Sequence, residues 1–231
     1  MGPGSDQNVK LNGRSVFNEL AYGFKVIHRS RYFYISILVL SLGFGLNLAS
    51  QAYLHYYMSQ GKTLPMLSDL ILDNIPYLNV AFYYDISNLL TIIVMLTYIV
   101  VRNEYKRIPF ILILMGIFYV VRGIFIVLTP FGNPPLFVGS GPPFNGFSKY
   151  ELGVYPSGHV GNALMFILLT RDKFFRRILL VLILVIIFAL FLARGHYSID
   201  IFSGLFFAYA IKSFGERHLT RFDLSITRSH L

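Results

Sequence analysis

Cysteine is absent from the 231 residues, and so is tryptophan. Without cysteine there is no disulfide, thiolate metal site, iron–sulfur cluster or thiol nucleophile, and the redox compartment leaves no mark on the chain. Charge is scarce as well, at 13% of residues against about 25% in soluble domains. An ordinary hydrated surface cannot be built from that supply. The first roughly 30 residues carry no apolar stretch of signal-peptide type. Met1-Gly2-Pro3-Gly4-Ser5 reads as an expression scar.

What the chain has instead is hydrocarbon. Hydrophobic residues make up 55%, with 22 Phe and 16 Tyr, and the mean hydropathy is +0.60. A helix crossing about 30 Å of bilayer core needs roughly 17–25 apolar residues. Six segments qualify: Tyr32–Ala52, Tyr84–Val101, Pro109–Thr129, Val154–Thr170, Ile178–Ala193 and Tyr197–Ser213. The fourth and sixth are short and interrupted by Ser, Gly, His and Asp, which membranes tolerate where polar groups face protein or water. The expected fold is therefore an all-α integral membrane protein. A polar arm (1–31) precedes a six-helix domain (32–213), and a basic tail (214–231) follows it.

The net charge of +9 first suggests nucleic acid or anionic lipid. Its placement decides. The arm, 102–108, 171–177 and the chain from Lys212 onward hold sixteen cations against six acids, a surplus of +10. The remaining four cations, Lys62, Arg122, Lys149 and Arg194, face five acids. The basic excess thus lies on one side, and by the positive-inside rule both termini are cytosolic. No polar domain displays the cations, so a nucleic-acid partner is not expected.

Ionisable groups in apolar segments cost about 2.5–3.5 kcal/mol each on insertion scales. Arg122 and Asp200 both lie in the outer halves of their segments. His196 and Asp200, spaced i, i+4, stack on one helix face. The carboxylate can orient the imidazole and leave its other nitrogen as nucleophile or base. His159, in Tyr155-Pro156-Ser157-Gly158-His159, returns to the same level after one crossing in and one out. Two imidazoles, a carboxylate and the guanidiniums of Arg122 and Arg194 suit a phosphate diester. One His attacks phosphorus and the other protonates the departing oxygen. A Ser157 acyl-transfer triad and a two-His-one-carboxylate metal site are the rival readings. The second is opposed by the nearby arginines, and no metal or other cofactor is expected.

The pair Ser157-Gly158-His159 and His196-Tyr197-Ser198-Ile199-Asp200 resembles the motifs of sphingomyelin synthases, inositol phosphorylceramide synthases and the wider type 2 phosphatidic acid phosphatase superfamily. Tyr119, Arg122, Thr129 and Pro134, with Pro65, Asp69, Asp73 and Pro76, look like further motifs of the sphingomyelin synthase branch. That resemblance implies six crossings and an outward-facing site. His196 would be the nucleophile, Asp200 its orienting partner, and His159 the general acid that releases diacylglycerol and later activates an acceptor alcohol such as ceramide. The chain departs from the phosphatase branch in lacking its Lys…Arg-Pro motif.

These expectations name a phospholipid headgroup transferase with phosphocholine, phosphoethanolamine or phosphoinositol as cargo. Ser157, Gly158, Tyr119, Lys149 and Asp69 join the arginines as candidate headgroup contacts. A lipid phosphatase or phospholipase C using water is the alternative, and a non-catalytic lipid binder or transporter a third. Asp69, Asp73 and Asp85 serve equally as choline-binding rim or loop caps, and Tyr53, Tyr56, Tyr57, Tyr83 and Tyr84 as cation–π contacts or an interfacial aromatic belt. The expected location is a Golgi, endoplasmic reticulum or plasma membrane, or a bacterial inner membrane.

Overall fold

A computed structural model describes residues 13–137 and 152–226. Its elements are α1 (Gly13–His28), α2 (Arg31–Ser59), α3 (Leu70–Asp73), α4 (Ala81–Val101), a 3-10 turn (Glu104–Arg107), α5 (Ile108–Leu128), α6 (Gly158–Leu169), α7 (Lys173–Leu192), α8 (Ser198–His218) and a second 3-10 turn (Thr220–Phe222). No strand occurs among the described residues. A helix occupies each of the six expected apolar segments.

Four of them, α2, α4, α5 with its preceding turn, and α7, have the length and apolar composition to cross a membrane. The other two differ. Helix α8 has the length, at 21 residues, but not the hydropathy of those four. Helix α6 has only 12 residues, about 18 Å at 1.5 Å each. It starts four residues later than the hydropathy pattern predicts, because Pro156 and the Ser157 cap keep the preceding chain extended. Conversely, α2 runs seven residues past Ala52. Gln51 and His55 are polar without breaking a helix, and the helix ends just before Gly61, whose φ is +77°.

The bundle keeps an apolar core, with Leu114, Phe118, Met165, Leu179 and Ile186 buried, but its outer surface is apolar as well. Leu42, Leu96, Val181 and Phe188 are exposed on its outer surface, while Ser36, Asn47, Ser87 and Thr91 are buried. Apolar area on this scale marks contact with lipid, and the chain is an integral membrane protein. Helix α2 packs along α5, α4 along α7, and α6 against α7 and α8. At two crossings the backbones approach too closely for a side chain. A Cβ on Gly116 would lie 2.7 Å from Leu40 N, and one on Gly204 2.7 Å from Ser157 O.

The ends of the bundle segregate as the charge pattern requires. At the cation-rich end, buried Arg107 donates to Leu169 O (2.9 Å) and pairs with buried Asp223 (3.4 Å). Tyr98 Oη donates to Glu104 (3.0 Å) and accepts from Arg171 N (3.2 Å). These bonds fasten three chain segments together. The opposite end gathers the starts of α4, α6 and α8 and the ends of α5 and α7, held by contacts such as Leu78 N to Leu192 O at 2.9 Å. The candidate histidines and acids lie there.

Candidate active site

Asp200 is placed by α8 itself. It is the third residue of that helix, and its Oδ2 accepts the Tyr197 N–H at 2.9 Å, closing the first turn. The same oxygen lies 3.3 Å from Nδ1 of His196, and Asp200 is fully buried. His196 occupies the tight corner between α7 and α8, its side chain 5% exposed. Burial, the largest influence, lowers the imidazole below its ordinary value, and Asp200 pushes it back up. At neutral pH the ring is therefore unprotonated, with Nδ1 held by the carboxylate and Nε2 available.

His159 comes from the first turn of α6. Its ring centroid is 5.9 Å from that of His196, edge to face. It packs on Tyr84 of α4 at 5.3 Å, and its Nε2 lies 3.4 Å from Oδ1 of Asp85, also on α4. His159 is the more open member, its side chain 28% exposed. The result is two facing His–Asp pairs. From the sequence alone Asp85 is a rim or capping acid. No spacing rule joins it to a histidine 74 positions away, and its one visible signal was an acid inside an apolar segment.

Arg122 reaches the site from beneath. It is 8% exposed. Its Nε donates to Pro156 O (2.9 Å), Nη2 to Gly153 O (2.9 Å), and Nη1 to Asn47 Oδ1. The guanidinium thus fixes the segment that delivers Ser157, Gly158 and His159. Gly158 leaves the space it needs, since a Cβ there would sit 3.3 Å from Nε. Ser157 is fully buried and caps α6 through Val160 N at 3.4 Å, while its own N–H donates to Asp200 O at 2.9 Å. A capping, inaccessible hydroxyl is a poor nucleophile. The first-turn N–H groups of α6 point toward the histidines' end of the bundle and favour an anion there.

The remaining candidates divide. Arg194, 9% exposed with φ +55°, donates from Nη2 to Ile75 O at 3.1 Å, and its buried Nε has no hydrogen-bond partner among the described residues. Tyr119 accepts at Oη from Asn162 Nδ2 at 2.8 Å, one turn along α6 from His159. Asp69 is committed to the backbone: Oδ1 accepts from Ile71 N and Leu72 N, and Oδ2 from Ser198 N at 2.6 Å. Burial works to raise it, but these donors prevail and hold the carboxyl below its ordinary value. That is the capping alternative of the sequence reading rather than a free rim acid. Lys149 lies outside the described residues. No group of three or more His, Cys, Asp and Glu suited to a metal occurs among the described residues.

A family model for AtPDCT1/2 matches residues 61–217, a span that contains both His–Asp pairs and more than half of the chain. The chain belongs to the AtPDCT1/2 family. This is a phosphatidylcholine:diacylglycerol cholinephosphotransferase family, so its members are phospholipid headgroup transferases. A search of the curated proteins finds no match. AtPDCT1/2 membership agrees with the headgroup-transfer class expected from the two histidine motifs.

Proposed function

We propose that the protein transfers phosphocholine from phosphatidylcholine to diacylglycerol through a phosphohistidine on His196. The observation that carries this reading is the pair of facing imidazoles, each backed by its own carboxylate, in a chain of the AtPDCT1/2 family. His196 Nε2 attacks phosphorus and the N–P bond forms as the bond to the glycerol oxygen breaks. His159 gives its proton to that oxygen, and the first diacylglycerol leaves. In the return step His159 takes the proton from the hydroxyl of a second diacylglycerol, whose oxygen attacks phosphorus and releases His196. Proton transfer of this kind contributes about 10²–10⁴-fold.

The spacing suits it. With phosphorus in near-attack range of His196, about 3–3.5 Å, the departing oxygen falls within hydrogen-bond reach of a ring whose centroid is 5.9 Å away. Asp200 stabilises the growing charge on His196, as Asp85 does on His159. The first-turn N–H groups of α6 are the donors available to the phosphate oxygens. Six crossings with both termini cytosolic would set these groups at the outer or lumenal face.

Phosphatidylcholine labelled in its choline group, incubated with diacylglycerol of distinct chains, tests the reading. Label should appear in phosphatidylcholine bearing the new chains. Label in sphingomyelin when ceramide is added would transfer the acceptor role to ceramide. Free labelled phosphocholine without acceptor would make the protein a hydrolase, and no labelled product would leave a lipid binder.

A further inference from the structure

A cavity of about 830 Å³ begins one turn below His159 and runs away from the site toward the cation-rich end. It exists because α2 and α4 are packed on α5 and α7 and scarcely touch each other. Leu40, Phe44 and Gly45 of α2 face Met95, Leu96 and Ile99 of α4 across it. Phe44 and Leu96 are 47% and 58% exposed, so the cleft is open sideways, where the lipid is. Along α5 it extends from Tyr119 to Ile108, roughly 16 Å at 1.5 Å per residue. Its lining is almost wholly apolar, with Tyr119 and Asn162 at the end nearest His159.

At that end Asn162 is 7% exposed, and its Oδ1 has no hydrogen-bond partner among the described residues. His159 and Asn162 share a face of α6 at i, i+3. An unpartnered buried amide costs free energy unless a ligand meets it. At the far end Phe24 and Ile27 of α1 complete the wall, and α1 is seated by Gly23 against the Tyr105 ring, whose Cγ lies 2.5 Å from a Cβ placed there. Helix α1 lies outside the matched residues 61–217.

We propose that this cleft binds one acyl chain of the lipid substrate, admitted sideways between α2 and α4, and that Phe24 and Ile27 set the longest chain that fits. The assignment rests on the headgroup-transfer reading for the identity of the lipid. The Asn162 Oδ1 without a hydrogen-bond partner among the described residues, beside Tyr119 and one turn from His159, places the glycerol esters at that end and the methyl terminus at α1. The volume lies within the roughly 300–1,000 Å³ of ligand sites. Each methylene that finds no room in an apolar slot forfeits about 0.8 kcal/mol of burial. Affinity then drops about tenfold for every two carbons beyond the fit.

The test uses the full chain in phosphatidylcholine nanodiscs doped with phosphatidylcholine carrying a photoactivatable diazirine at the acyl terminus. Mapped cross-links should fall on the Phe24–Ile27 and Ile92–Val100 peptides. A Cβ on Gly45 meets nothing within 4 Å, so Gly45→Phe fills the slot without disturbing the fold. It should cut those cross-links and long-chain exchange about tenfold while sparing short-chain diacylglycerol. Ile27→Ala should move the preferred chain longer by roughly two carbons. Cross-links spread evenly over the lipid-facing sides of α7 and α8, or a chain-length profile unchanged in both variants, would overturn the proposal. Cleft cross-links without headgroup transfer would overturn the reaction and leave the cleft assignment standing; transfer without cleft cross-links does the reverse.

Discussion

The proposed reaction gives the two histidine–aspartate pairs opposite proton tasks, and they are built in opposite ways. His196 and Asp200 are one helical turn apart, buried to 5% and 0%, and held by the capping geometry of α8. His159 and Asp85 come from different helices, α6 and α4, and the histidine is 28% open. A nucleophile that must be neutral gains from burial, which disfavours its charged form. An acid that must carry a proton and exchange it with successive substrates needs a carboxylate beside it and a path outward. In the proposed reaction the locally built pair keeps one state, and the pair built across helices exchanges protons with each substrate.

The comparison breaks most sharply at His196. Its replacement by Ala should lower headgroup exchange about 10⁴-fold or more and abolish phosphate label on the protein after a non-acidic quench. In the wild type the acid limb of the rate profile should lie below about 6.5, the ordinary His value, because burial lowers His196 and only protonation silences it. Asp200→Asn removes the influence that raises it, so the residual activity should persist to still lower pH.

His159→Ala should cost about 10²–10⁴-fold with phosphatidylcholine as donor. A donor with a good leaving group, such as p-nitrophenyl phosphocholine, should recover most of the first half-reaction, since no proton is needed there. Equal losses with both donors would remove the acid role. Asp85→Asn should be milder, about a hundredfold through misplacement of His159, and should lose most of its effect in a His159→Ala background. Additive losses would show Asp85 acting elsewhere.

Two smaller effects concern the scaffold that brings the pairs together. Arg122→Met strands the Pro156 and Gly153 carbonyls and the Asn47 side chain. It should lower thermal stability by about 2–3 kcal/mol, and activity with it. Asp69→Ala removes a cap worth about 1 kcal/mol. Because hydrogen bonds lower the Asp69 carboxyl, its contribution is present above the unfolded value near 3.9 and is lost as pH falls through the folded value. Denaturation midpoints of the wild type and this variant should converge in acid.

Much of this arrangement is written locally. Helix positions follow from apolar runs, and the His196–Asp200 pair from an i, i+4 spacing that any helix enforces. The misjudged boundaries also have local causes: Gly61, not the first polar residue, ends α2, and Ser157 delays the start of α6. Arg122 was visible as an expensive charge in an apolar segment, but its task was not. A guanidinium suits phosphate and carbonyl oxygens alike, and only the path of residues 153–156 beneath it selects the carbonyls.

By itself the sequence determined the solvent, the all-helical class, the sidedness of charge and three of the four side chains at the facing imidazoles. Those are set by composition and by spacing along one helix. Tertiary structure alone decided that Asp85 backs His159, that Asp69 also binds Ser198 N across the chain, and that α2 and α4 stand apart to leave a cleft leading from Asn162 to α1. Each of these depends on which helices pack together, through contacts between residues far apart in the chain, and no local spacing encodes that.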